Sequence, residues 1–136
     1  MTMIHSLWAY LVLILLIVVV IKAIISFKKE FKDIDLRLAL FTLIISHIQL
    51  VLGLGVYFSS PAYKYLKSNG VSQDAAVRML QLDHPITMII VVVLITIGYS
   101  KQKKKLDSKA KFKTIAVFYG TALALTLMMI PWNKWF

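Results

Sequence analysis

Three histidines, His5, His47 and His84, are the only side chains in this chain suited to bind a metal through nitrogen, and there is no cysteine. His5 and His84 each stand near the start of an apolar stretch, and each precedes by 17 residues the lysine that closes it, Lys22 in one case and Lys101 in the other. At about 1.5 Å rise per helical residue, both imidazoles lie about 25 Å from the lysine level, near the far edge of a hydrocarbon layer roughly 30 Å thick. Ionisable groups are costly inside a bilayer and call for a reason. Two neutral ring nitrogens at one depth on separate helices can ligate a porphyrin iron from both faces, so the spacing predicts a haem held between them. Without cysteine there is no disulfide, c-type attachment, iron-sulfur cluster or thiol nucleophile, and any redox chemistry must be carried by a cofactor.

His47 lies close to mid-membrane, between Arg37 and Phe58. Its structural reading is an interhelical hydrogen bond helped by Ser46 or Gln49. Its functional readings are an alternative axial ligand paired with His84, a contact to a quinone, or a step in a proton relay. Counted from the basic ends, His47 sits about 15 Å up and His84 about 25 Å, a poorer match in depth than His5 with His84. Arg78 is the cation nearest His84 on its outer side and the choice for pairing a haem propionate. Asp83 is placed to accept from the N–H of a ligating ring. Gly53 and Gly55 would let a flat cofactor approach the backbone closely.

The elements that must position these residues are membrane-length segments. The chain has 136 residues, 60% of them hydrophobic, with charges gathered in blocks. Four apolar stretches are long enough to cross a bilayer, at about 6–27, 36–58, 79–100 and 114–132, leaving little but connections between them. One domain, 1–136, is expected: an all-α, integral membrane, antiparallel four-helix bundle in which spans one and three face each other diagonally.

The net charge of +10 lies at membrane edges. Residues 22–37 carry five Lys/Arg and 101–113 carry seven, against three in 59–83 and Lys134 alone in the C-terminal tail. The positive-inside rule puts both basic connections in the cytoplasm and both termini outside. Juxtamembrane lysines attract anionic lipid at about 1 kcal/mol each, so membrane lipids explain the charge and nucleic acid is not implied. The first span lacks a basic leader and is read as a mature span of a bacterial inner-membrane protein.

Local signals fill in the connections. Asp33 or Asp35 can cap the second helix. Asn69-Gly70 marks a turn in the outer loop, and Ser72, Ala76, Met79 and Leu80 suggest a short amphipathic run into span three. Pro85 leaves the carbonyl of Gln81 without its helical donor and should bend that span beside His84. Trp8 and Tyr10 at one outer edge, and Trp132, Trp135 and Phe136 at another, read as interfacial anchors. Thr87, Thr96, Thr114, Thr121 and Thr126 can bond back to their own helices. A shift of 79 residues superimposes His5 on His84 and Lys22 on Lys101, suggesting a two-span repeat.

At His5-Ser6-Leu7-Trp8-Ala9-Tyr10, Ile48-Gln49-Leu50-Val51-Leu52-Gly53-Leu54-Gly55 and Asp83-His84-Pro85, the chain resembles one four-helix half of the heme A synthase family, and it is similar to small bacterial cytochrome b-like membrane proteins. The resemblance implies haem ligation by histidines at the outer ends of alternate helices, here His5 and His84. The family's catalytic half carries a glutamate three residues before its first histidine and often a cysteine pair. This chain has Thr2 there and no cysteine. The oxygen-insertion chemistry is therefore not expected to carry over, whereas a b-type haem is compatible.

The leading expectation is a haem b-binding membrane protein for electron transfer or haem holding, with no independent enzymatic activity. A quinone is a candidate partner. The alternative is a cofactor-free accessory subunit of a larger respiratory or transport complex, or a homo-oligomer. A transporter or proton channel would need more polar groups along its spans, and a hydrolase would need a carboxylate pair or activated serine, which the spans lack.

Overall fold

A computed structural model describes residues 2–132, all helical or connecting, with no strand among them. The expected anchor residues Trp135 and Phe136, and Lys134, lie outside the described residues. Helix α1 spans Thr2–Ile25, α2 Asp33–Phe58, α3 Pro61–Asn69 and α4 Ala75–Arg78; a π-helical turn at Met79–Asp83 leads into α5, His84–Lys103, and α6 is Ser108–Met129. Four stretches are long and apolar enough to cross a membrane: Met3–Ile25, Asp33–Phe58, Ala75–Lys103 and Ser108–Met129. The first begins earlier than its apolar run indicates, which puts His5 inside helix, and the third begins at Ala75, with His84 well inside it.

The helices pack in a ring in which α1 touches α2 and α6, and α5 touches α2 and α6, leaving α1 and α5 diagonal. Within the hairpins the neighbours are antiparallel. Trp8 Nε1 donates to the Ile45 carbonyl at 2.9 Å near one end of α1/α2, and Lys22 pairs with Asp35 near the other. Trp8 thus ties two helices together, beyond the interfacial role its position suggests. On α5/α6, His84 and Met129 meet at one end and Lys101 stacks over Phe118 toward the other.

Local chemistry sets the boundaries. Asp35, not Asp33, accepts at the start of α2, from the Lys32 N–H at 2.9 Å, while Asp33 pairs in the open with Arg37. Ser60 accepts from the Tyr63 N–H and Pro61 opens α3, a helix in what the sequence suggests is plain loop. Gly70 ends it at φ 83°, a left-handed conformation a β-carbon would strain. Asp74 and Asp107 cap α4 and α6 by accepting from the N–H groups of Ala76 and Ala110. Thr96, Thr114, Thr121 and Thr126 each bond back to the carbonyl four residues earlier.

The bundle is solid at its lysine end and hollow at its histidine end. Leu16, Val19, Ala23, Ala39, Ile95, Phe112, Ile115, Tyr119 and Ala122 form the packed half. There the Tyr119 hydroxyl crosses the interior to donate to the Ala39 carbonyl at 2.9 Å, so its polar tip is satisfied within the apolar core. Gly98 lets α5 and α6 close up, since a β-carbon there would lie 2.6 Å from Phe118 Cβ.

Candidate functional site: a two-histidine cavity

The hollow half holds a partly open cavity of about 420 Å³, within the size range of small-molecule and cofactor sites. His5 and Ala9 from α1, Ser46, Gln49 and Gly53 from α2, Leu80 from the π turn, and His84, Pro85 and Met88 from α5 face it, with Thr126 of α6 and Pro131 after it. The two histidines whose matched depth is legible in the sequence therefore share one chamber, contributed by the two diagonal helices.

His84 is held from behind. Its Nδ1 lies 2.8 Å from the Met129 carbonyl, and because a carbonyl only accepts, Nδ1 carries the proton and Nε2 keeps its lone pair. A ring nitrogen tied to a backbone carbonyl is the usual support for a metal-ligating imidazole. That support comes from the end of α6. Asp83 is exposed, and the sequence pattern offers no sign of Met129 in this role.

His5 is set by α2. A β-carbon on Gly53 would lie 3.0 Å from His5 Cε1, so the space this glycine leaves is filled by the imidazole. Gln49 Nε2 donates to the His5 backbone carbonyl at 2.9 Å and locks the start of α1 against α2. Around this contact sit three buried polar atoms without a hydrogen-bond partner: His5 Nδ1, Gln49 Oε1 and Ser46 Oγ. Unmatched buried polar atoms are costly, and these three gather where α1 meets α2.

The π turn shapes the opposite wall. Pro85 cannot donate to Gln81, and the Tyr57 hydroxyl takes that carbonyl at 2.8 Å. The Gln81 side chain is 1% exposed; it accepts from the Ser72 N–H and donates to the carbonyls of Ala62 and Gly70, fastening α3 and its following loop to the head of α5. In sequence Gln81 shows only as one polar residue in an apolar run.

The remaining candidates lie elsewhere. His47 is exposed on the outside of α2, its Nδ1 bonded at 2.8 Å to the Leu43 carbonyl of its own helix, and it does not line the cavity. The arrangement does not bring it to His84 as an alternative ligand, because Ser46, Gln49 and Gly53 occupy the inward face. Arg78 donates to the carbonyls of Ser72 and Gln73 and stands outside the lining, as does Gly55. Among the described residues no lysine or arginine lines the chamber.

Among the described residues no three His, Asp or Glu side chains converge on one point, so a bare metal ion has no cage here, whereas a porphyrin supplies four nitrogens of its own and asks the protein for two axial ligands. No family model matches the chain, and no curated protein and no solved structure matches it either. Function therefore has to be argued from the chamber itself.

Proposed function

We propose that this chain is a multi-pass protein of the bacterial inner membrane, with termini and histidine end outside, that holds one haem b between His5 and His84. The observation that carries the reading is the convergence of two imidazoles from diagonal helices on one apolar chamber, with His84 Nδ1 already engaged so that Nε2 is left as donor. His5 lines the same chamber from the α1 side. The basic connections at the opposite end support the orientation.

Haem bound there would supply one-electron exchange. The chain's own contribution is to hold and shield. The Met129 carbonyl fixes the proton on His84, Gly53 sets the place of the His5 ring, and Leu50, Leu54, Met88 and Val91 keep water from the interior face. A low-dielectric surrounding of this kind is one of the levers by which a protein sets the potential of an axially ligated iron. Cofactor carboxylates would belong at the end nearest water, since no lysine or arginine among the described residues lines the chamber. The resemblance to one half of the heme A synthase family supports the same ligand pair, and the lack of its glutamate and cysteines supports haem holding or electron transfer over oxygen insertion.

A second reading, an accessory subunit or homo-oligomer without cofactor, is favoured by one observation: His47 presents its remaining ring nitrogen outward from the middle of an apolar helix, where a neighbouring membrane protein or a quinone would satisfy it. An absorption spectrum of the purified protein, oxidised and dithionite-reduced, separates the two. A Soret band with sharp low-spin bands on reduction supports the haem reading. Colourless protein that is stable only with partners overturns it in favour of the second.

A further inference from the structure

We propose that Gln49 is the positioning residue for His5, doing through its side-chain oxygen what the Met129 carbonyl does for His84: accepting the Nδ1–H and so directing Nε2 into the chamber. The inference deepens the haem reading and rests on it only for its consequence at the iron.

Gln49 has one arm committed. Its Nε2 donates to the His5 backbone carbonyl at 2.9 Å, which brings the amide alongside that residue. The other arm, Oε1, is buried without a donor, and His5 Nδ1 is buried without a partner. An amide oxygen only accepts, and a neutral imidazole carries one proton that can sit on either nitrogen. These two orphans are complementary in one tautomer alone, with the proton on Nδ1. Both side chains line the same wall of the chamber, on helices that the Gln49–His5 backbone bond holds together.

Gly53, one turn further along α2, limits the alternatives. With Cε1 packed over the glycine, the ring is confined from that side, so its two nitrogens face different surroundings. The result is a matched pair of supports: an oxygen from α6 behind His84 and an oxygen from α2 behind His5. Each support comes from a helix adjacent in the ring to the one that carries its histidine. Ligand basicity and ring orientation at both axial positions would then be fixed by neighbouring helices, as outer-sphere acceptors do at metal-bound imidazoles.

The test uses the full-length protein with 15N-labelled histidine, haem-free and haem-loaded. In the haem-free protein, ring nitrogen shifts should report His5 as the Nδ1–H tautomer. Gln49→Met, which keeps length and loses both polar atoms, should release it to a mixture. Gln49→Glu retains an acceptor and should preserve the tautomer. In the loaded protein, Gln49→Met should weaken haem by about 10–100-fold, and Gln49→Glu should keep haem while lowering its midpoint potential, because a stronger acceptor makes the ring a stronger donor. An Nε2–H tautomer in the wild type, or an unchanged tautomer in Gln49→Met, overturns the inference. So does equal haem loss in both variants, which would trace the effect to the lost clamp on the His5 carbonyl. Wild-type protein that takes up no haem would sink the haem reading alone, and the tautomer measurement would still decide the role of Gln49.

Discussion

The hydroxyl of Tyr57 donates to the carbonyl of Gln81 at 2.8 Å, the oxygen that Pro85 deprives of its α-helical donor. A vacancy created in α5 by a proline is thus met from the end of α2, and the bond fixes the wall of the chamber just ahead of His84. Tyr57→Phe keeps the ring and its contacts with Phe58 and Tyr63, whose centroids lie 5.3 and 5.2 Å away, and removes only the donor. Leaving that carbonyl unmatched should cost about 1–3 kcal/mol. Thermal unfolding in detergent should show the loss, with faster amide exchange across residues 79–84. Adding Pro85→Ala should recover part of it, since residue 85 then has an N–H to give.

His47 gives a prediction of the opposite kind. Its Nδ1 is engaged with Leu43 and its ring faces outward, so His47→Ala should leave the haem spectrum intact. On the proposed ligation, His5→Ala and His84→Ala should each abolish the low-spin signal, because each would remove one of two axial ligands. Retention of that signal in both His5→Ala and His84→Ala, with loss in His47→Ala, would move ligation away from the chamber.

Gly53 and Gly55, two residues apart on α2, should behave differently. Gly53→Ala would put a methyl group 3.0 Å from His5 Cε1, and the ring must yield. A displaced axial ligand should appear as a fall in haem retention and a partial shift toward high-spin iron in the electron paramagnetic resonance spectrum. Gly55 stands outside the chamber lining, so Gly55→Ala should keep the wild-type spectrum.

Long-range order along the bundle axis was legible in the sequence, whereas direction around each helix was harder to read. Helix rise is constant, so the separations of His5 from Lys22 and His84 from Lys101 place two rings at one depth, and the four-span order places their helices diagonally. Facing could have been extracted for α2. At about 100° per residue, Ser46, Gln49, Leu50 and Gly53 share a side, and His47 points well away from it. Elsewhere apolar residues surround the helix, and periodicity says little. The Met129 carbonyl behind His84 is a backbone atom 45 residues away and has no sequence signature. The three-way use of the Gln81 side chain depends on how α3 folds back, which the apolar pattern does not encode.

The lysine end can be tested without any cofactor. Lys22 and Asp35 pair between α1 and α2, the lysine side chain 35% exposed and the carboxylate 6%. Removing the lysine leaves a nearly buried carboxylate without its cation, a change that costs about 3–5 kcal/mol for fully buried pairs and should cost less here because the lysine reaches solvent. Lys22→Met should therefore lower the unfolding midpoint clearly. The double variant Lys22→Met with Asp35→Leu should regain only part of the loss, since no charge is then left to desolvate but the Lys32 N–H loses its acceptor at the start of α2.

Gly98 offers a sharper test of packing because of which atom it meets. A β-carbon at 98 would lie 2.6 Å from Phe118 Cβ, an atom fixed to the α6 backbone and not the movable end of a side chain. Gly98→Ala must push α5 and α6 apart, at about 1–3 kcal/mol for overpacking of this kind. Truncating the aromatic ring with Phe118→Ala should fail to rescue it, because alanine keeps the clashing carbon. Phe118→Gly would remove that carbon but also adds a helix penalty of about 1 kcal/mol. Rescue by Phe118→Ala in a double-variant unfolding series would mean that the ring, and not the approach of the two backbones, sets the spacing of this helix pair.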